Sequence, residues 1–206
     1  SEMCIRDRIT HVLGIDADAL KKAFTRRGFG FSYFDAREQA TAYLAQAVQG
    51  KRVGFGGSMT LEELGAYDAL SKAAEVHWHW KGEPPCVDAE VFVTSANSLS
   101  ATGEVVNIDG ASNRVAGSLY GAKTCFIVCG VNKLEPTLEA AVQRARNVAA
   151  PRNAMRLNRK TPCVMDGKCH DCRSPERICS SLVIHMAPPL SFERYEIVLI
   201  GESLGY

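Results

Sequence analysis

Apolar residues recur along this chain in two rhythms that take turns, one at helical spacing and one in short unbroken or alternating runs. Over residues 16–26, Leu20, Ala23 and Phe24 fall on one helical face, Asp16 or Asp18 can cap the start, and Gly28 lies just past the end. Residues 29–34 then read as a short aromatic strand, Asp35 caps an amphipathic helix over 36–49, and Gly50 ends it. A strand over 52–55 runs into Gly56-Gly57-Ser58 and a helix from Met59 or Thr60 to Leu70. Residues 75–80 alternate His77 and His79 with Trp78 and Trp80, as a half-buried strand would. Residues 89–95 read as a buried strand and 104–108 as another, with turns at Thr102-Gly103 and Asp109-Gly110 before a helix over 112–120. The apolar run 123–129 suits a fully buried strand, Glu135-Pro136 opens a helix over 137–149, and strands over 181–186 and 195–200 close the sheet, leaving the last three residues exposed. Buried strands alternating with amphipathic helices predict an α/β fold with three layers and a mainly parallel central sheet.

Composition adds bounds. With 206 residues, 46% hydrophobic and 23% charged, the chain can bury one sizeable core and reads as one domain. Residues 1–8, SEMCIRDR, resemble a translated sequencing-adapter remnant and are read as a non-native leader; the domain is placed over 9–206, and Cys4 is given no role. A formal net charge of +1 gives no reason to expect a nucleic-acid or membrane partner. No run approaches the roughly 18 consecutive apolar residues of a membrane span, so a cytoplasmic location is expected, where thiols stay reduced.

Two polar concentrations interrupt the apolar pattern. The turn Gly56-Gly57-Ser58 sits between a strand and a helix, where glycines let backbone approach an anion and free amides at a helix start can bind it. It is neither a Walker loop nor a dinucleotide fingerprint. Glu62 and Glu63 follow in the first turns, and either can serve the helix dipole or face a pocket. The second concentration runs from Thr94 to Arg114. Here Asn97, Asp109, Asn113 and Arg114 stand among more hydrogen-bonding groups than two turns require, and a helix start carrying Ser112, Asn113 and Arg114 can hold a carboxylate or phosphate. Turns at strand ends tend to meet on the C-terminal edge of a parallel sheet, which predicts one pocket for both. Cys125 and Cys129 read as core, and Arg144, Arg146, Arg152, Arg156 and Arg159 as a solvated basic flank.

That flank leads into the densest chemistry in the chain, TPCVMDGKCHDCRSPERIC over residues 161–179. Cys163, Cys169, Cys172 and Cys179 are spaced C-x5-C-x2-C-x6-C among turn-forming residues. Gly167 and Pro175 permit the reversals that bring thiolates to one centre, and four sulfurs suit tetrahedral zinc and an iron–sulfur cluster about equally. Sulfurs roughly 3.8 Å apart are expected for zinc and somewhat wider for a cluster.

The segments VGFGGSMTLEELG, SANSLSATGEVVNIDGASNRVAGSLYG, NKLEPTLEAAVQRARNVAAPRNAMRLN and TPC…GKC-DC-SP-RIC together resemble the single-domain lactate-utilisation (LUD, LutC/YkgG-like) family. The resemblance implies a fold like that of ribose-5-phosphate isomerase, glucosamine-6-phosphate deaminase and CoA transferases, with Gly56, Gly57 and Ser58 at the anion site and residues 109–114 matching a D-G-x-x-N-R segment. It implies a part in oxidising L-lactate to pyruvate beside iron–sulfur partner proteins, and inclines the cysteine stretch towards a [4Fe–4S] cluster over zinc. It transfers no catalytic residue. An enzyme acting on a phosphorylated or CoA-linked compound with a structural zinc, and a non-catalytic binding or assembly subunit, remain open. So does a homo-oligomer.

Overall fold

The computed structural model describes residues 16–83 and 88–206; the leader, Cys4 and Cys86 lie outside the described residues. Six strands numbered in chain order, β1 (Gly30–Phe34), β2 (Arg52–Phe55), β3 (Glu75–His77), β4 (Val91–Thr94), β7 (Thr124–Gly130) and β10 (Arg194–Ile200), form a sheet in the order β1-β10-β7-β4-β2-β3. Every pairing in it is parallel.

The period-two alternation of β7 and β10 explains why both faces are covered. Phe126, Val128, Val198 and Ile200 enter one apolar cluster, whereas Cys125, Ile127, Cys129, Ile197 and Leu199 enter another. The first cluster is closed by α2 (Arg37–Ala47), α3 (Met59–Glu63) and α4 (Ala66–Leu70), through Leu44, Leu61 and Leu70. The second is closed by Leu20 and Phe24 of α1 (Ala17–Arg26) and by Leu99 and Val105 of a smaller sheet. An α/β architecture with a mainly parallel central sheet is what the apolar rhythm predicts.

The smaller sheet was not anticipated. It comprises β5 (Ser98–Ser100), β6 (Val105–Asp109), β8 (Leu134–Glu135) and β9 (Ser181–His185) in the order β8-β5-β6-β9, with β6 antiparallel to both neighbours. The strand near residue 181 therefore does not close the main sheet, and β10 runs through its interior. The outer side of the small sheet packs through Val106 on Ala141 and Ala145 of the long helical segment after residue 137.

Three expected elements differ. The helix after Ser58 is two short helices, because Gly65 between them adopts φ 64°, a left-handed turn that interrupts the run. The helix after Thr137 continues beyond residue 149: α6 (Leu138–Arg144) passes through a π-helical turn (Ala145–Ala149) into α7 (Ala150–Arg156). Pro151 lacks an amide hydrogen, so the wider turn sits where one regular helical bond cannot form. The strand at Glu75 ends at His77, and residues His79–Lys81 coil into a 3-10 turn, so the His/Trp alternation is not carried by one strand. A further helix, α5 (Asn113–Leu119), follows β6.

Candidate functional site

From β2 the chain goes on to β3 at one edge and from β4 it goes on to β7 on the other side, so it leaves these two neighbouring strands in opposite directions and opens a crevice beyond their C-terminal ends. A cavity of about 560 Å³ occupies that place. Gly57 and Ser58 reach it from the end of β2, Ser95, Ala96 and Asn97 from β4, Lys133 from beyond β7, and Asp109, Asn113 and Arg114 from the small sheet and α5. The π-helical turn and α7 supply Ala149, Asn153 and Arg156. Gly56 stands immediately behind: a Cβ there would lie 2.4 Å from Thr94 Oγ1 and 2.9 Å from Arg114 Cγ, so only glycine lets the three segments meet.

The inner wall is organised by three cations whose donors are turned into the protein. Arg114 donates through Nε to Asp109 Oδ2 (3.0 Å), through Nη1 to Asn107 Oδ1 (2.6 Å) and Ser95 O (3.3 Å), and through Nη2 to Ile108 O (2.8 Å) and Asn97 Oδ1 (3.1 Å). Those five bonds match the five N–H donors of a guanidinium, leaving none for a ligand. Burial lowers its pKa, and the Asp109 carboxylate opposes the shift. Arg144 donates to Asn132 O (3.1 Å) and Asn97 O (2.6 Å), so two arginines clamp the residue that ends the turn after β4. Lys133 Nζ, 4% exposed as a residue, donates to Thr60 Oγ1 (2.6 Å), Ala96 O (3.0 Å) and Ser95 Oγ (3.1 Å). Burial lowers its pKa to about 8, with Arg144 and Arg114 adding to the shift and Cys129 opposing it.

The mouth is differently built. Arg156 lies over the Trp80 ring at 4.9 Å and donates through Nε to Tyr206 Oη (2.8 Å) and Asn153 Oδ1 (3.1 Å). The side chain of Arg159, also on the cavity, has no hydrogen bond or ion pair among the described residues. Neither arginine, nor Lys133, has a carboxylate partner among the described residues. The two acids on the wall are engaged elsewhere, Asp109 by Arg114 and Glu176 by the amide of Lys160 (2.8 Å). These two acids share the wall with five cations, Arg114, Lys133, Arg156, Arg159 and Arg177, so the cavity carries surplus positive charge.

The profile of the LUD domain matches residues 17–193. The chain belongs to the LUD domain family. A search of curated proteins gives no match. Among solved structures, this LUD domain is similar to a DUF162 family protein from Deinococcus radiodurans, with 15% identity and a TM-score of 0.56 over 96% of this chain and 99% of that one. At that identity the likeness shows the fold.

Of the residues singled out in the sequence, the LUD domain brings Gly57, Ser58, Asn97, Asp109, Asn113 and Arg114 around one cavity, with Gly56 packed behind it. Ser58 uses its Oγ to accept from the amide of Leu61, and so caps α3. Glu62 and Glu63 turn away from the cavity, to Lys81 Nζ (3.2 Å) and to the amide of Gly205 (2.7 Å). Cys125 and Cys129 are core residues, and burial raises the pKa of Cys125. The basic flank is not uniformly solvated: Arg144 is buried, Arg156 and Arg159 line the cavity, and Arg146 turns to the cysteine stretch. The last residues are not loose either, since Leu204 is buried and Tyr206 lines the cavity. Lys133 carried a signal that went unread, a lysine just past the C-terminal end of a buried, mostly apolar strand, where ligand sites of parallel sheets lie.

The four cysteines occupy one loop but not one point. Cys163 begins α8 (Cys163–Asp166) and its Sγ lies 3.3 Å from Thr161 Oγ1. Cys169 is tied to the π-helical turn, its amide to Asn147 Oδ1 (3.1 Å) and its Sγ to Arg146 Nη2 (3.7 Å). Arg177 Nη2 approaches Cys179 Sγ (3.7 Å), and Arg177 Nη1 bonds Cys172 O (2.9 Å). Asp171 joins the two halves, at 3.3 Å from Arg146 and 3.8 Å from Arg177. Separate anchors thus hold the thiols. Among the described residues no three His, Cys, Asp or Glu side chains are gathered closely enough to hold a metal ion. The same loop contributes Pro175, Glu176, Arg177 and Ile178 to the cavity wall.

Proposed function

We propose that this LUD domain binds a small organic anion of the hydroxy- or keto-carboxylate type in the cavity, as a component of L-lactate oxidation or a related redox system. The observation that carries this reading is the surplus charge of Lys133 on the inner wall and of Arg156 and Arg159 at the exposed mouth of one cavity. Cations left without a carboxylate in a partly desolvated crevice favour an anionic guest, because its charge replaces lost hydration. Arg114, Arg144 and the Gly56–Ser58 turn hold the walls in place; Arg156 and Arg159 at the mouth are the groups with donors to offer. A thermal-shift series with L-lactate, pyruvate, inorganic phosphate and coenzyme A tests the reading. Stabilisation by the carboxylates supports it; stabilisation by phosphate or coenzyme A alone moves the assignment to a phosphorylated or CoA-linked substrate; none by any anion removes the pocket as a binding site.

A second reading concerns the cysteine loop, and its support is that the segment carrying four thiols also forms one wall of the cavity. An iron–sulfur cluster or zinc held there would be carried by the same loop that contributes Pro175 to Ile178 to the cavity wall. Loading would require Cys169 and Cys179 to leave Arg146 and Arg177 and the loop to close on itself. The four thiols Cys163, Cys169, Cys172 and Cys179 would be the ligands, and a cluster would supply one-electron transfer. Metal analysis and visible absorption of anaerobically purified protein separate cluster, zinc and neither.

A further inference from the structure

Lys133 is placed and partnered unlike a lysine that only holds a fold together. It follows β7, at the C-terminal edge of the main sheet, and reaches the cavity from the inner wall. Its three partners are all neutral: two hydroxyls, Thr60 Oγ1 and Ser95 Oγ, and one carbonyl, Ala96 O. A buried ammonium held for structure is ordinarily matched by a carboxylate, since desolvation otherwise costs several kcal/mol. The charged and titratable neighbours that influence Lys133 are Arg144, Arg114, Cys129 and Glu63, and the first two press against its charge.

The two hydroxyls matter because a hydroxyl can accept from an ammonium or, on rotation, donate to a neutral amine. Thr60 and Ser95 also lie 3.2 Å from one another through their hydroxyl oxygens, so a proton leaving Nζ can be relayed between the two hydroxyls. An amine that can lose its proton without losing its partners, beside a cavity with surplus positive charge, is equipped to attack a carbonyl group on an anion.

We propose that Lys133 is a nucleophilic amine that forms an imine with a carbonyl-bearing organic anion bound in the cavity; this rests on the anion-binding reading above. In the step, the neutral Nζ adds to the carbonyl carbon, its proton passes by way of the Thr60 or Ser95 hydroxyl to the former carbonyl oxygen, and loss of water leaves a C=N bond. No electrons enter or leave, and hydrolysis reverses it. Burial supports the chemistry: by lowering the pKa to about 8 it leaves far more of the amine neutral near neutral pH than in an ordinary lysine.

The test uses the full chain, with pyruvate and separately pyridoxal 5′-phosphate as carbonyl probes, borohydride to reduce any imine to a stable secondary amine, and peptide mass mapping to locate it. Lys133 should be labelled by at least one probe, faster than the exposed Lys123, whose side chain is 72% exposed, and lactate or phosphate should slow labelling at Lys133. The Lys133→Arg variant keeps the charge and should lose that label, while labels on surface lysines persist. Labelling confined to exposed lysines, or none at Lys133 with either probe, overturns the proposal. If lactate or phosphate still raises the melting temperature in that case, the anion-binding reading survives; if neither does, both fall.

Discussion

Replacing Arg114 by Met separates a cation that builds the cavity from one that serves a ligand. The side chains of Arg114 and Asp109 are 13% and 10% exposed, so deleting the guanidinium leaves a nearly buried carboxylate without its counter-charge and removes donors from Asn97, Asn107 and two backbone carbonyls. Removing one partner of a buried pair costs about 3–5 kcal/mol, a large share of a typical domain's stability. For a chain of this length that is a fall of about 6–20 °C in melting temperature. Urea unfolding followed by the fluorescence of Trp78 and Trp80 measures it, with Arg156→Met as comparison. Arg156 is exposed and bonded only to neutral groups, so its loss should cost under about 1 kcal/mol. An Arg114→Met protein that loses less than about 1 kcal/mol yet no longer binds any anion would refute this division and make Arg114 a ligand-contacting residue.

Gly56→Ala should destabilise by about 1–3 kcal/mol, measured by the same unfolding curve, because its methyl would meet Thr94 Oγ1 at 2.4 Å; stability unchanged would mean the β2 turn is looser than described. His185, buried with Nε2 near Ser118 O (3.2 Å), has its pKa lowered by burial, with the bond to Ser118 opposing the shift. The unfolded chain therefore takes up this proton first as pH falls, so stability should be level above about pH 6.5 and decline below it, by up to about 1.4 kcal/mol per pH unit. His185→Phe should flatten that part of the profile, and an identical slope in the variant would assign it elsewhere. After anaerobic reconstitution with iron and sulfide, Cys169→Ser should carry less metal than the parent by elemental analysis and should loosen the C-terminal segment more than the sheet in hydrogen exchange; equal metal content excludes Cys169 as a ligand.

The main sheet was legible because its strands are buried on both faces, and runs such as 124–130 leave no reading but a strand covered on two sides. The smaller sheet was not, because β5 and β8 have three and two residues and draw on Ser98, Ser100 and Glu135, which follow no apolar pattern. β9 was visible as a strand but not by partner: its pairing with β6 depends on register across some seventy residues, which local periodicity cannot supply. The Gly56–Ser58 turn and the segment from Asp109 announced themselves because special backbone geometry demands special residues. The division of labour among the cations was invisible. Arg114 and Arg156 look alike in sequence, and only the count of acceptors around each tells the clamp from the open hand. Lys133 went unread for a related reason, since a lysine after a strand is ordinarily a surface residue, and what makes this one different is the covering provided by Thr60, Ser95 and Leu204.

Calorimetric titration of pyruvate and L-lactate into the protein and into an Arg156→Ala/Arg159→Ala double variant bears most directly on the claim that the cavity takes a small organic anion. The account predicts binding that weakens with added salt and falls by about tenfold or more in the double variant, since each charge-assisted bond contributes on the order of 1.5–3 kcal/mol, while the variant unfolds at nearly the parent temperature. Equal binding by parent and variant, or no heat from either carboxylate with the parent protein, would contradict it.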